Sequence, residues 1–297
     1  MPRPSSTSNS RFVALLLAPV ILSMTILFIV PIIWNIWISI HNVSFATFHK
    51  AWSFVGAQNY ATLLNDNVFP KIFHKSAVTT LIFTLSSVLG QFAAGFGLAL
   101  LLQRLTSSAQ LFRAIIVLPW VLSELVVAYI WLFMYQQHGP LNNFLGIFGI
   151  GPIQWLSNSA WAIWSVSLTN IWFGTPFTVL MMGAALTTIN PETIEAARMD
   201  GATPRQVLVR VTLPLLKPFV ALNLILITMW TVNVFALPLA MTQGGPANST
   251  TTMSLYMYRQ AFEFGNFSVG SSVGIMLFLL NIIGAVIYLR TQRSAHA

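Results

Sequence analysis

The sequence predicts an all-α integral membrane protein with about six transmembrane helices and a helix-turn-helix loop on the cytoplasmic side. Three observations predict it. Of 297 residues, 56% are hydrophobic and 7% charged, whereas a soluble domain carries roughly a quarter charged residues. Six apolar runs reach the ~20 residues that a ~30 Å hydrocarbon core requires. The densest mixed charge falls in one stretch, Glu195 to Pro214, between two of those runs.

The same numbers exclude several function classes. The net charge of +8 comes from basic residues scattered over loops, not gathered on one face, so no nucleic-acid partner is expected. Cysteine is absent, which removes disulfides and thiolate metal sites. The histidines and acids show neither metal-ligand spacing nor a nucleophile-base-acid set. No catalytic residue, metal or cofactor is expected in this chain, and no enzyme.

Taken in order, residues 1–10 read as a polar tail. The first span covers about Phe12 to Ile38. Its basic flank, Arg11, suits a signal peptide, but the run is too long and no small-residue cleavage site follows. A retained helix interrupted by Pro31 is expected. The other spans are about Ser76–Leu102, Leu111–Met134, Ala160–Leu186, Phe219–Met241 and Val269–Leu289. The domain division is a cytoplasmic tail (1–11), a first helix with its external segment (12–75), a five-helix core (76–290) containing a loop at 190–214, and a cytoplasmic tail (291–297). Along the second span, Ser86, Gly90 and Ala94 recur every four residues, spacing that lets helices approach closely, within the chain or at a subunit seam. Trp34, Trp37, Trp52 and Trp155 lie near span ends, where tryptophan anchors the membrane interface.

Orientation follows from Lys and Arg. With the N-terminus inside, the inner side holds Arg3, Arg11, Arg104, Arg113, Arg198, Arg205, Arg210, Lys217, Arg290 and Arg293, and the outer side only Lys50, Lys71, Lys75 and Arg259. Both termini and the charged loop come out cytoplasmic.

That loop has clear helix signals. Asn190 suits an N-cap and Pro191 the first helical position. Gly201 suits a left-handed C-terminal stop. Thr203-Pro204 repeats the start signal for a second short helix. Its charges would be too costly in hydrocarbon, so it is a docking knob or a solvated loop.

Glu195-Ala196-Ala197, three residues, Gly201, nine residues, then Val211, Thr212, Leu213 and Pro214 resemble the EAA loop of binding-protein-dependent ABC importer permeases. Phe54 to Tyr60 (FVGAQNY) is similar to that family's FVG-x-x-NY element. Gly244-Gly245-Pro246 with Ser249-Thr250 is similar to the GGP-x-x-ST element of one permease type in carbohydrate importers, the type of the larger maltose and glycerol-phosphate permeases. The resemblance implies one half of a heterodimeric channel in the plasma (inner) membrane of a bacterium or archaeon, for a sugar, oligosaccharide or polyol. It implies as partners a second permease, two ATPase subunits that bind ATP and Mg, an extracytoplasmic substrate-binding protein, and membrane lipid. It assigns ATPase coupling to Glu192, Glu195, Ala196, Ala197, Arg198, Asp200, Gly201 and Pro214. It places Trp120, Glu124, Asn170, Phe173, Gly174, Thr231, Asn233 and Val234 on the substrate path. Trp120 and Glu124, four apart, are expected on one helix face, with Asn233 turned partly aside.

Glu124 carries two readings. An intramembrane carboxylate costs at least ~2.5 kcal/mol at mid-depth, so it faces a cavity or hydrogen-bonds a neighbouring helix. An alternative function, a stand-alone ion-coupled carrier or channel, would use it as the ion site.

Overall fold

The computed structural model describes residues 6–65, 71–103, 105 and 109–293. Arg3, Arg104 and the outermost residues of both expected tails lie outside these. Among the described residues the fold is all-α apart from one isolated bridge between His41 and Phe54. Four helices are long and apolar enough to cross a membrane, and six spans result if each of two bent pairs counts as one. The chain divides into two compact units, residues 1–65 with 259–276, and 66–258 with 277–297.

The first unit opens with α1 (Ser6–Met24), a π-helical turn (Thr25–Ile29) and α2 (Val30–Ser39). Two expectations are corrected here. The polar residues 6–10 are helical, carried by the apolar run that follows, because extending a formed helix is far easier than nucleating one. Pro31 does not interrupt the span. It lies in the first turn of α2, just after the wider π turn, where the Val30 N–H already bonds back to the Thr25 carbonyl. That register shift absorbs the missing proline donor. After α2, the Asn59 side chain, on α3 (Gln58–Leu64), donates to the carbonyls of Ser39 (2.7 Å) and His41 (3.1 Å), and the Tyr60 hydroxyl bonds Ser39 Oγ at 2.7 Å. The Asn-Tyr of the external motif therefore closes the end of the first span.

The second unit is built on α4 (Ile72–Gln103) and α8 (Ser159–Leu186). Ser86 donates to Ser167 (3.0 Å), Gly90 faces Ile171 and Gly95 faces Thr175 and Thr178. Both sets of numbers rise together, so the helices run parallel. The expected small-residue line is real and serves packing within the chain, but its last member is Gly95 rather than Ala94, which is exposed.

Two parallel spans require one crossing between them. It is made by α5 (Ala109–Val121) and α6 (Glu124–Met134), which meet at 101°. The single third span expected over Leu111–Met134 is therefore a broken one. Pro119 removes a helix hydrogen bond near the break, and Ser123 is extended (ψ 142°). The fifth span is corrected in the same way. Helix α11 (Leu213–Asn233) stops at Val234, and α12 (Ala236–Thr242) follows a break. A buried cluster joins these pieces, with Phe83 of α4, Val127 and Ala128 of α6, Val166 of α8 and Leu237 of α12. A second, towards the other end of α4 and α8, gathers Phe96, Met182 and Leu216.

Helix α7 (Pro140–Ile147) lies between α6 and α8. Helices α9 (Pro191–Met199) and α10 (Pro204–Val207) precede α11, and α13 (Met253–Tyr258) and α14 (Phe267–Arg293) follow α12. The second helix of the expected helix-turn-helix is not a separate short element. α10 runs through a π turn (Leu208–Thr212) into α11, giving 30 continuous helical residues from Pro204 to Asn233. The Leu213 N–H bonds the Leu208 carbonyl across that turn, which accommodates Pro214 as the first unit accommodates Pro31.

Candidate functional site

Two groups of residues carry the candidate function, a charged loop at one end of α8 and the helix breaks further along the spans. In the loop, Asn190 Oδ1 accepts from the Glu192 N–H at 3.1 Å and Pro191 opens α9. Gly201 sits at φ +81°. Its N–H bonds the Arg198 carbonyl (3.0 Å), and the Ala202 N–H bonds the Ala197 carbonyl (3.1 Å). This pair of bonds is the Schellman closure, which needs a left-handed residue at that position. Thr203 and Gln206 then form a reciprocal capping box at the start of α10. Each orphaned end of the loop is thus satisfied by residues within it.

The loop's surface is left open. Glu192, Glu195, Ala196, Arg198 and Asp200 are exposed, Ala197 is half-buried, and Met199 is 89% exposed. Among the described residues the ion pair found is Arg259–Glu263, outside this loop, and Glu192 Oε2 accepts from Asn190 Nδ2 at 3.3 Å. One face of α9, with Pro191, Ile194, Glu195 and Arg198 at helical spacing, overhangs a cavity of about 450 Å³ floored by Leu100 and Leu186. The opposite face, with Glu192, Ala196 and Met199, points away from it. Pro214 is exposed in the first turn of α11.

In the second group, Trp120 ends α5 and Glu124 begins α6. The expectation that they share a helix face is corrected, because the 101° break lies between them. The Glu124 carboxyl lies near the Leu237 backbone N–H. That amide belongs to the first turn of α12, where helices leave donors unpaired. Glu124 therefore joins the starts of two half-helices, and its Oε1 remains buried with no hydrogen-bond partner.

Asn170 is buried in α8 and its Nδ2 is also unpartnered, while its backbone carbonyl accepts from Gln91 Nε2 at 3.2 Å. Gly174 faces the same Gln91; a Cβ there would lie 2.4 Å from Gln91 Oε1. Phe173 packs on the cluster that contains Val127 and Leu237. Thr231 is buried, and Val234 is half-buried at the extended break. Asn233 is exposed and turned towards α14, with Nδ2 bonding the Met229 carbonyl (2.6 Å) and, at 3.5 Å, Asn281 Oδ1.

The structure adds two residues that sequence reasoning missed. Trp120 of α5 lies 6.0 Å from Phe177 of α8 and 6.4 Å from Trp230 of α11, and Phe177 and Trp230 are 4.8 Å apart edge to face. Three spans thus contribute one ring each to a cluster in which Trp120 and Trp230 are exposed. The signal for Phe177 was present: it follows Asn170, Phe173 and Gly174 at helical spacing. Trp230 had none beyond its place beside Thr231.

The model of the family described as "Binding-protein-dependent transport system inner membrane component" matches residues 87–295. The chain is 31% identical over 280 residues to the trehalose/maltose transport system permease protein MalF of Thermococcus litoralis, covering 94% of this chain and 92% of that one. It is 33% identical over 282 residues to the sulfoquinovosyl glycerol transport system permease protein SmoG of Agrobacterium fabrum, covering 94% and 90%. In fold it is similar to a chain of a bacterial ABC transporter involved in the import of the acidic polysaccharide alginate, with a TM-score of 0.78 at 24% identity over 97% of this chain and 96% of that one.

Proposed function

The chain belongs to the family of binding-protein-dependent transport system inner membrane components, and on that premise we propose that a sugar, oligosaccharide or polyol crosses the membrane between this subunit and a second, different permease. Membership makes it a multi-pass inner-membrane permease subunit of an ABC importer with no chemistry of its own. The general architecture of such importers adds ATPase subunits and a substrate-binding protein.

Helix α9 is the part an ATPase grips. The bias of Lys and Arg puts it in the cytoplasm together with both termini. Its self-capped ends make it a rigid lever, and Glu195 accepts from a basic or amide donor on the ATPase. Closure of an ATPase dimer on ATP then moves α9, and through the short turn at Asp200–Thr203 the start of α10, which runs through the π turn into α11 without a gap.

The observation that carries the substrate class is the ring cluster Trp120, Phe177 and Trp230. Sugars present C–H faces that stack on rings and hydroxyls that need partners. Glu124 Oε1 and Asn170 Nδ2 are the unpaired acceptor and donor on the same spans. The names of the relatives, a trehalose/maltose and a sulfoquinovosyl glycerol permease, agree with this class. A stand-alone carrier using Glu124 has no use for α9, and family membership stands against it.

The test is uptake by the reconstituted importer over a panel of labelled sugars and polyols, with amino acids as controls. Carbohydrate-specific uptake that falls in Trp230→Ala is expected. Uptake of amino acids alone, or a Trp230→Ala variant indistinguishable from wild type on every substrate, would overturn the substrate class.

A further inference from the structure

The external loop between α6 and α8 contains no Lys, Arg, Asp or Glu from residue 135 to 159. It is nevertheless ordered around one residue. Buried Asn142 donates from Nδ2 to the carbonyls of Gln136, Gln137 and Ile153, and its Oδ1 accepts from the Ile153 N–H and Trp155 Nε1. Leu141 packs on the core cluster of α6 and α8. These contacts fix which face of α7 turns inward. The outward face, at helical spacing, is Phe144, Ile147 and Phe148, which are 57%, 77% and 67% exposed, with Ile150 beyond them. Phe144 and Phe148 meet edge to face at 5.3 Å, so the patch is a preformed surface.

We propose that α7 is a membrane-surface helix, its Phe144–Ile147–Phe148 face seated in the interfacial layer of the bilayer. Three arguments favour lipid over a protein. The outward face offers no hydrogen-bonding side chain and no charge, so nothing on it can set the register of a protein partner. A soluble protein that docks and leaves would return these side chains to water in every cycle, and apolar patches of this kind are not left bare. The patch also continues an exposed aromatic surface: Trp155 bridges from Asn142 to Trp161, one of two exposed tryptophans at the start of α8 with Trp164. Aromatic residues at a span end are interface anchors. The leaflet, though not the depth, rests on the orientation proposed above.

The absence of cysteine allows a direct test. Nitroxide labels are placed at Phe144→Cys, Ile147→Cys and Phe148→Cys, and at Gln137→Cys and Asn143→Cys as exposed polar controls, in the full importer in nanodiscs of stated phosphatidylethanolamine and phosphatidylglycerol composition. Collisional relaxation by oxygen is compared with that by a water-soluble nickel chelate. Oxygen is expected to dominate several-fold at 144, 147 and 148, and nickel at 137 and 143. Nickel dominance at the three apolar positions, meaning exposure to water, would overturn the proposal. So would low collision with both reagents, meaning cover by the second permease. Reversed sidedness in thiol labelling at Ser157→Cys would instead refute the orientation and leave the depth result standing.

Discussion

Helix α9 and the junction at Glu124 both contain helix ends that need partners, and they find them differently. In the α9 loop every cap comes from within a few residues: Asn190 for the start, Gly201 for the stop, Thr203 and Gln206 for the next start. At the junction the start of α12 has no local side-chain cap and is approached by Glu124, more than a hundred residues away in sequence. The loop is a self-contained part that can move as a body. The junction exists only while α6, α8 and α12 are packed together.

The contrast predicts where changes act. The largest effect is expected in the loop. Gly201→Val places a β-branched residue at φ +81°, a strain of order 1–3 kcal/mol concentrated where α9 must be presented. Gly201→Val and Glu195→Lys should each abolish uptake and substrate-stimulated ATP hydrolysis while the protein still inserts. Normal uptake by both would remove the coupling role of α9.

Next come the unpaired groups of the junction. Glu124→Ala and Asn170→Ala should lower uptake strongly while the complex assembles and hydrolyses ATP at its basal rate. Uptake equal to wild type in both would separate the junction from the substrate path.

The same contrast explains what could be read beforehand. Loop signals are local, so Asn190, Pro191, Gly201 and the capping residues stand in the structure where the sequence put them. Span boundaries resting on hydrophobicity alone were less secure. Hydrophobicity does not distinguish a straight helix from two halves at 101°, which is why Trp120 and Glu124 looked like neighbours on one face. Nor does it reveal a π turn, which is how Pro31 and the Leu213-Pro214 step are carried without a stop. The ring cluster depends on the contact of α5, α8 and α11, and no local pattern names Trp230.

Smaller effects sharpen the comparison within α4. Alanine at Gly95 would place Cβ 2.5 Å from Thr178 Cβ and 3.0 Å from the Thr175 carbonyl, whereas at Gly97 it meets nothing within 4 Å. Gly95→Ala should therefore cost about 1–3 kcal/mol by overpacking and lower the melting temperature in detergent; Gly97→Ala should not. Equal melting would argue against the close α4–α8 approach. Ser86→Ala loses the 3.0 Å bond to Ser167, worth about 0.6 kcal/mol between membrane helices, and should leave substrate preference unchanged in the uptake panel.

Thiol labelling at Met199→Cys, a large apolar side chain of α9 that is 89% exposed, tests the coupling role most directly. An impermeant maleimide should react in inside-out vesicles but not in intact spheroplasts, and reaction should be blocked when the ATPase subunits are assembled on the permease. Labelling in intact spheroplasts, or equal labelling with and without the ATPase, would contradict a cytoplasmic α9 held by the motor.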